Sequence, residues 1–251
     1  MNLTVVQFNT LADNLAVDFP LCPPEYLKWD YRKNLILQKI LNAHARIIAL
    51  QEVDHFDDFF KNEMKEYFYE GLFVKKANSN DGCVVFYHKS LSLIRHQFIE
   101  YPNMNQRGIY CEFQLNDFAF AFVTTHFKAK LPFQDQRLIQ ADFLLKTIKL
   151  FNEKSLPCII ALDMNDTPDS PVYDKFIKED FVSTYQNVDF TTFKVRKDGE
   201  FCRVIDYIFC KGLTDYSTYE LPTKEMIGSN GLPSKYHPSD HLMLITYFAK
   251  D

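Results

Sequence analysis

Short apolar runs that break off in polar residues alternate along the chain with stretches whose apolar positions recur at helical spacing. The runs read as buried or half-buried strands and the periodic stretches as amphipathic helices. Residues 3–8 make a first strand, with Asn9 where it stops. Asp30 caps a helix whose apolar positions are Leu35, Ile36, Ile40 and Leu41. Residues 46–50 form a second strand that exits through Gln51, Glu52 and Val53. A helix through Phe56, Phe59, Phe60 and Met64 follows, then strands over 67–74, 82–87, 91–99 and 108–115. A tight Asn116-Asp117 link leads into the strand 118–125, which ends at His126. Residues 134–151 are the longest helix, with Leu138, Ala141, Leu144, Leu145 and Ile148 on one stripe. A strand at 158–162 empties into Asp163-Met164-Asn165, and a helix spans 171–178. Beyond it lie a short strand at 191–194, a turn at Lys197-Asp198-Gly199 and a strand at 204–209 carrying Asp206. Residues 214–235 look irregular, and a final strand, 241–248, is entered through Pro238-Ser239-Asp240. Hairpin-like strand pairs among the helices favour a two-sheet α/β sandwich over a doubly wound parallel sheet. With no linker or internal repeat, residues 1–251 read as a single domain.

Composition narrows this picture. Hydrophobic residues make up 47% of the chain, with 24 Phe, enough for a sizeable core. A net charge of -5 argues against a generic nucleic-acid coat, whose footprint is basic. It leaves room for a cleft in which a metal ion and a few cations meet phosphate. The six Cys are scattered without C-x-x-C, and four lie in or beside apolar runs, so they read as buried thiols of a reducing compartment. A strand-like run starts at Leu3, and no apolar stretch reaches the ~18 residues of a membrane span. The expectation is a soluble, cytoplasmic monomer with no membrane partner.

Polar residues recur where the apolar runs stop: Asn9, Glu52, His126, Asp163, Asn165, Asp206, Asp240 and His241. Each alone has an ordinary explanation as a turn or a strand end. Asp163 and Asn165, two apart, would share one face if the backbone stayed extended. Together the set suits metal-assisted attack on a phosphoester. Glu52, with Asn9 or Asp240 near it, offers hard oxygens to Mg²⁺, for which Mn²⁺ is the alternative. His241, oriented by Asp206, and Asp163 are rival candidates for activating water, and His126 and Asn165 would bind the non-bridging oxygens. No H-E-x-x-H, P-loop or G-x-S-x-G supports another chemistry.

The ordered motifs Phe8-Asn9, Leu50-Gln51-Glu52-Val53, Thr125-His126, Asp163-x-Asn165, Ile205-Asp206-Tyr207-Ile208 and Ser239-Asp240-His241 also resemble the endonuclease/exonuclease/phosphatase superfamily. That resemblance implies a four-layer sandwich with a divalent ion at one end of its sheets. Leu27-Lys28-Trp29 with Arg32-Lys33, Asp81-Gly82-Cys83 and Leu232-Pro233 are similar to the nocturnin-like, deadenylase-related branch. So are His126-Phe127-Lys128-Ala129-Lys130 and Phe193-Lys194-Val195-Arg196. By that resemblance Lys76, Lys128, Lys130 and Arg196 line the cleft and meet substrate phosphates. It implies a phosphatase acting on the 2′-phosphate of NADP(H), with a 3′-exoribonuclease trimming single-stranded poly(A) as the runner-up. A third expectation is an idle member of the fold that binds RNA or protein. Phe193 and Phe209 stand where that branch often has Trp, which predicts altered stacking against a base.

Overall fold

Side chains alternate across each strand, so a strand apolar in both phases must be covered on both faces. That is the situation of most strands here. The computed structural model describes residues 2–249. Its strands are β1 (Asn2–Asn9), β2 (Ile47–Val53), β3 (Tyr69–Lys75), β4 (Gly82–His88), β5 (Ser92–Glu100), β6 (Arg107–Leu115) and β7 (Phe118–His126). Then come β8 (Cys158–Asp163), β9 (Val182–Ser183), β10 (Thr192–Arg196), β11 (Gly199–Arg203), β12 (Asp206–Lys211), β13 (Tyr216–Thr218) and β14 (Leu244–Ala249). The helices are α1 (Pro24–Leu27), α2 (Trp29–Asn42), α3 (Lys61–Glu66), α4 (Gln134–Phe151), α5 (Pro171–Ile177) and α6 (Lys224–Ile227).

Two six-stranded sheets result, ordered β13-β14-β1-β2-β4-β3 and β5-β6-β7-β8-β12-β9, with β10 and β11 as a separate hairpin. The inward phase of both sheets, including Leu3, Val5, Ile47, Ala49, Phe120, Phe122, Ile159 and Ile208, forms one core between them. The outward phase of the first sheet packs Val6, Phe8, Ile48 and Leu50 on Ile36 and Ile40 of α2. The outward phase of the second packs Val123, Ile160 and Leu162 on Ala141, Leu144 and Ile148 of α4 and Val172 and Phe176 of α5. This is the two-sheet α/β sandwich that the strand pattern predicts. Each fully buried Leu, Ile or Phe contributes ~1.5–3 kcal/mol.

Several local expectations shift. Helix α2 starts at Trp29 with Lys28 before it, so Asp30 lies in the first turn and pairs with Lys33 rather than capping. Residues 214–235 contain β13 and α6. The last strand begins at Leu244, and His241 precedes it in a loop. There Ser239 Oγ donates to the Asn9 carbonyl (2.6 Å) and accepts from the His241 N–H (3.1 Å), taking up groups a longer strand would pair.

Candidate active site

In four central strands the inward phase stays apolar through the core and turns polar only in its last positions, at the same end of the sandwich. In β1 the sequence is Leu3, Val5, then Gln7 and Asn9; in β2 it is Ile47, Ala49, then Gln51. In β7 it is Phe120, Phe122, then Thr124 and His126, and in β8 it is Ile159, Ala161, then Asp163. Strand β12 runs antiparallel to β8 and pairs Asp206 with Asp163, so its first inward residue joins the group. Strand β14 runs antiparallel to β1, which brings the residues preceding it, Asp240 and His241, to the same end. Strand β2 carries an extra residue between Leu50 and Val53 relative to β4, and Glu52 there has φ 56°. The bulge re-aims Glu52 from the helix-covered face to the sheet mouth, where Ala12 N–H donates to its Oε2 (3.2 Å).

Asp163 is the hub. It is buried, its Oδ2 accepts from Asn9 Nδ2 (2.9 Å), and the same oxygen lies 3.5 Å from His126 Nε2 and 3.9 Å from His241 Nε2. Its Oδ1 accepts from the Asn165 N–H (2.9 Å). Asn165 has φ 55°, so the chain turns there and the side chain's partner is the Phe127 carbonyl (3.1 Å); the extended placement expected from spacing does not hold. His241 points Nδ1 at both oxygens of Asp206 (2.9 and 3.1 Å), which are also held by Thr191 Oγ1 (2.7 Å) and Gln7 Nε2 (3.1 Å). Gln7 Nε2 donates further to Gln51 Oε1 (2.8 Å), and Gln51 Nε2 to Thr124 Oγ1 (3.1 Å), so a buried polar chain crosses from one sheet to the other.

Electrostatics follow from this crowding. Burial pushes the His126 imidazole down to about 4, against the opposing pull of Asp163. Burial would lower His241 too, but Asp206, Asp240 and Asp163 outweigh it and hold its pKa up at about 10. Burial, joined by the charge of Asp206, raises Asp163, with His126, His241 and Asn9 opposing. Asp240 would be raised by burial but is held below the usual carboxylate range, chiefly by Lys194.

The cations fall into two groups. Lys76 binds Asp81 (2.9 Å) and acts electrostatically on Glu52 and His126. Lys194 binds Asp240 (2.6 Å) and feels Glu52. It was absent from the expected set, yet it stands two residues before Arg196 in β10 and shares its face, so strand alternation carried the signal. Arg196 lies 3.9 Å from Asp240, donates to the Val17 carbonyl (2.6 Å) and covers the Phe19 ring. Lys128, half-buried with its Nζ 4.7 Å over the Phe133 ring, and exposed Lys130 lie on the loop that follows His126. Phe193 and Phe209 are buried in hydrophobic clusters.

Asp163, Asp206 and His241 present ligand atoms within 4.8 Å of one another. Two of these, Asp206 and His241, are engaged with each other. The chemistry of the wider donor set suits a hard divalent ion: Glu52 has a second oxygen beyond its one backbone bond, and Asp163 and Asp240, both reached by His241, bring carboxylates to the same sheet end as the Asn9 amide.

Among the described residues no helix is long and apolar enough to cross a membrane. The fold is shared with the human nocturnin catalytic domain solved with a bound sulfate anion: TM-score 0.82 and 26% identity, covering 99% of this chain and 93% of that one. Nocturnin of Xenopus laevis is 33% identical over 98% of this chain and 72% of that protein. Nocturnin of Rattus norvegicus is likewise 33% identical over 98% of the chain, which spans only 65% of that relative's length. Residues 6–241 match the Endonuclease/Exonuclease/phosphatase family, and with these relatives the chain belongs to that family of phosphoric ester hydrolases, on its nocturnin-like branch.

Proposed function

We propose that the protein is a Mg²⁺-dependent phosphatase that removes the 2′-phosphate of NADP(H), giving NAD(H) and phosphate. One observation carries the choice of substrate. On an acidic chain, Lys76 and Lys194 both act on Glu52, and Arg196 lies 3.9 Å from Asp240, so three cations bear on one group of buried carboxylates and imidazoles. A polymer gains affinity from many phosphates along a groove, whereas a compact polyanion needs such a local concentration of charge. Lys128 and Lys130, on the loop that follows His126, would reach its outer phosphates.

Glu52, with Asn9 and Asp240, would hold the ion. Bound there, Mg²⁺ would polarise the phosphoryl group and neutralise charge on the leaving oxygen. Asp163 orients the attacking water and takes its proton; burial, which raises its pKa, favours that transfer. His241 acts as a donor rather than a base, because its Nδ1 is committed to Asp206 and its Nε2–H faces the pocket. His126 and the remaining amide proton of Asn165 meet the non-bridging oxygens. Six free cysteines fit a cytoplasmic setting, where thiols stay reduced.

Purified protein is incubated in Mg²⁺ with NADP(H) and, separately, with end-labelled oligo(A). Release of inorganic phosphate with formation of NAD(H) is expected. A ladder on oligo(A) with NADP(H) unchanged would reassign the protein as a 3′-exoribonuclease.

A further inference from the structure

On the core-facing stripe of α4, where Ala141, Leu144 and Ile148 pack, two buried positions are polar: Arg137 and Gln140. Buried polar side chains on such a stripe require dedicated partners. Most of these lie in the loop after β7; Gln140 Nε2 also donates to Gln106 Oε1 (3.3 Å). Gln140 Oε1 accepts from the Lys128 N–H (2.8 Å), and Arg137 Nη1 donates to the carbonyls of Lys128 (3.0 Å) and Lys130 (2.8 Å). Both backbone groups of Lys128 are therefore fixed from the helix. Arg137 Nη2 reaches the Leu131 carbonyl (3.5 Å), and its Nε binds Asp166 Oδ2 (2.9 Å), one residue past Asn165. Lys130 is held at φ 79°, a conformation a side chain seldom adopts unless its surroundings impose it. The outward products of this anchoring are two cations: Lys128, half-buried, and Lys130, exposed.

We infer that Arg137 and Gln140 form a latch that sets the position of Lys128 and Lys130, making them affinity-determining positioning residues for an anionic substrate. The inference rests on the reading above, in which these lysines meet substrate phosphates.

The test is a double-mutant cycle on the full chain with Mg²⁺ and NADP⁺. Arg137→Lys keeps a charge beside Asp166 but lacks the planar fork that spans several carbonyls. It should raise KM about tenfold while kcat stays within about twofold, the pattern of lost uniform binding. In a Lys128→Gln/Lys130→Gln background the same change should add nothing. Additive effects, or a fall in kcat at constant KM, would overturn the latch. Should Arg137→Lys fail to fold by circular dichroism, Gln140→Leu, which leaves the ion pair with Asp166 in place, carries the same cycle. Hydrogen exchange at the Lys128 amide tests the latch without any substrate: faster exchange in Gln140→Leu supports it, and unchanged exchange sinks it. If Lys128→Gln/Lys130→Gln leaves KM unaltered, or NADP⁺ is not turned over while that amide is released, the substrate reading fails and the latch stands as a loop anchor.

Discussion

Two imidazoles lie within 4 Å of one carboxylate oxygen of Asp163 and are driven in opposite directions. His126 is neutral down to about 4, whereas His241 stays charged up to about 10. In metal-free protein the signs follow from the unfolded value of 6.5. The His126 contribution to stability is present above 6.5 and is lost as pH falls through about 4. The His241 contribution is full below 6.5 and is lost as pH rises through about 10. Melting curves recorded in chelator should show His126→Gln flattening the acid limb and His241→Asn flattening the alkaline limb. Asp163→Asn should cut turnover by ~10²–10⁴ while the fold and Mg²⁺ binding, read by calorimetry, persist. Asp163, Asp206 and His126 were legible in the sequence because alternation alone says which side of a strand a residue takes. The partners of Asp206 were not. Gln7 lies 199 residues away across the sheet interface, and Thr191 stands 15 residues away at the entry of the separate β10–β11 hairpin.

Elements were readable in proportion to how local their causes are. Helix α4 occupies 134–151, the span its periodicity predicts, because one stripe fixes both its ends and its face. Strand β11 escaped notice. Gly199-Glu200-Phe201-Cys202-Arg203 has little alternation of its own, and the hairpin is held from outside through bridges from Thr192 to His241 and Lys194 to Gly231. The bulge at Glu52 is equally invisible along the chain, since an extra residue exists only relative to the neighbouring strand. Gly82 opens that neighbour, and a Cβ there would come within 2.2 Å of the Val74 carbonyl. Gly82→Ala should therefore destabilise the protein by ~1–3 kcal/mol, measured by urea unfolding. It should also lower activity, because Asp81 and Lys76 flank the displaced backbone.

For the molecule as a whole, the sandwich was foreseeable from hairpin-like strand pairs among the helices, while strand order was not, because it is decided by non-local pairing. The open end of the sandwich collects Glu52, Asp163, Asp206 and Asp240, so an ion bound there relieves mutual repulsion. Adding Mg²⁺ at about a hundred times its Kd should stabilise the fold by ~2.7 kcal/mol. Scanning calorimetry would register this as a higher Tm that chelator reverses. Thr124, Gln51, Gln7 and Asp206 couple the two sheets directly beneath the pocket, the chain ending on His241. One sheet cannot slip over the other without disorienting that imidazole. Catalysis should therefore vanish at the first loosening of the interlayer, before secondary structure melts, and enzymatic rate becomes a more sensitive gauge of the native state than ellipticity.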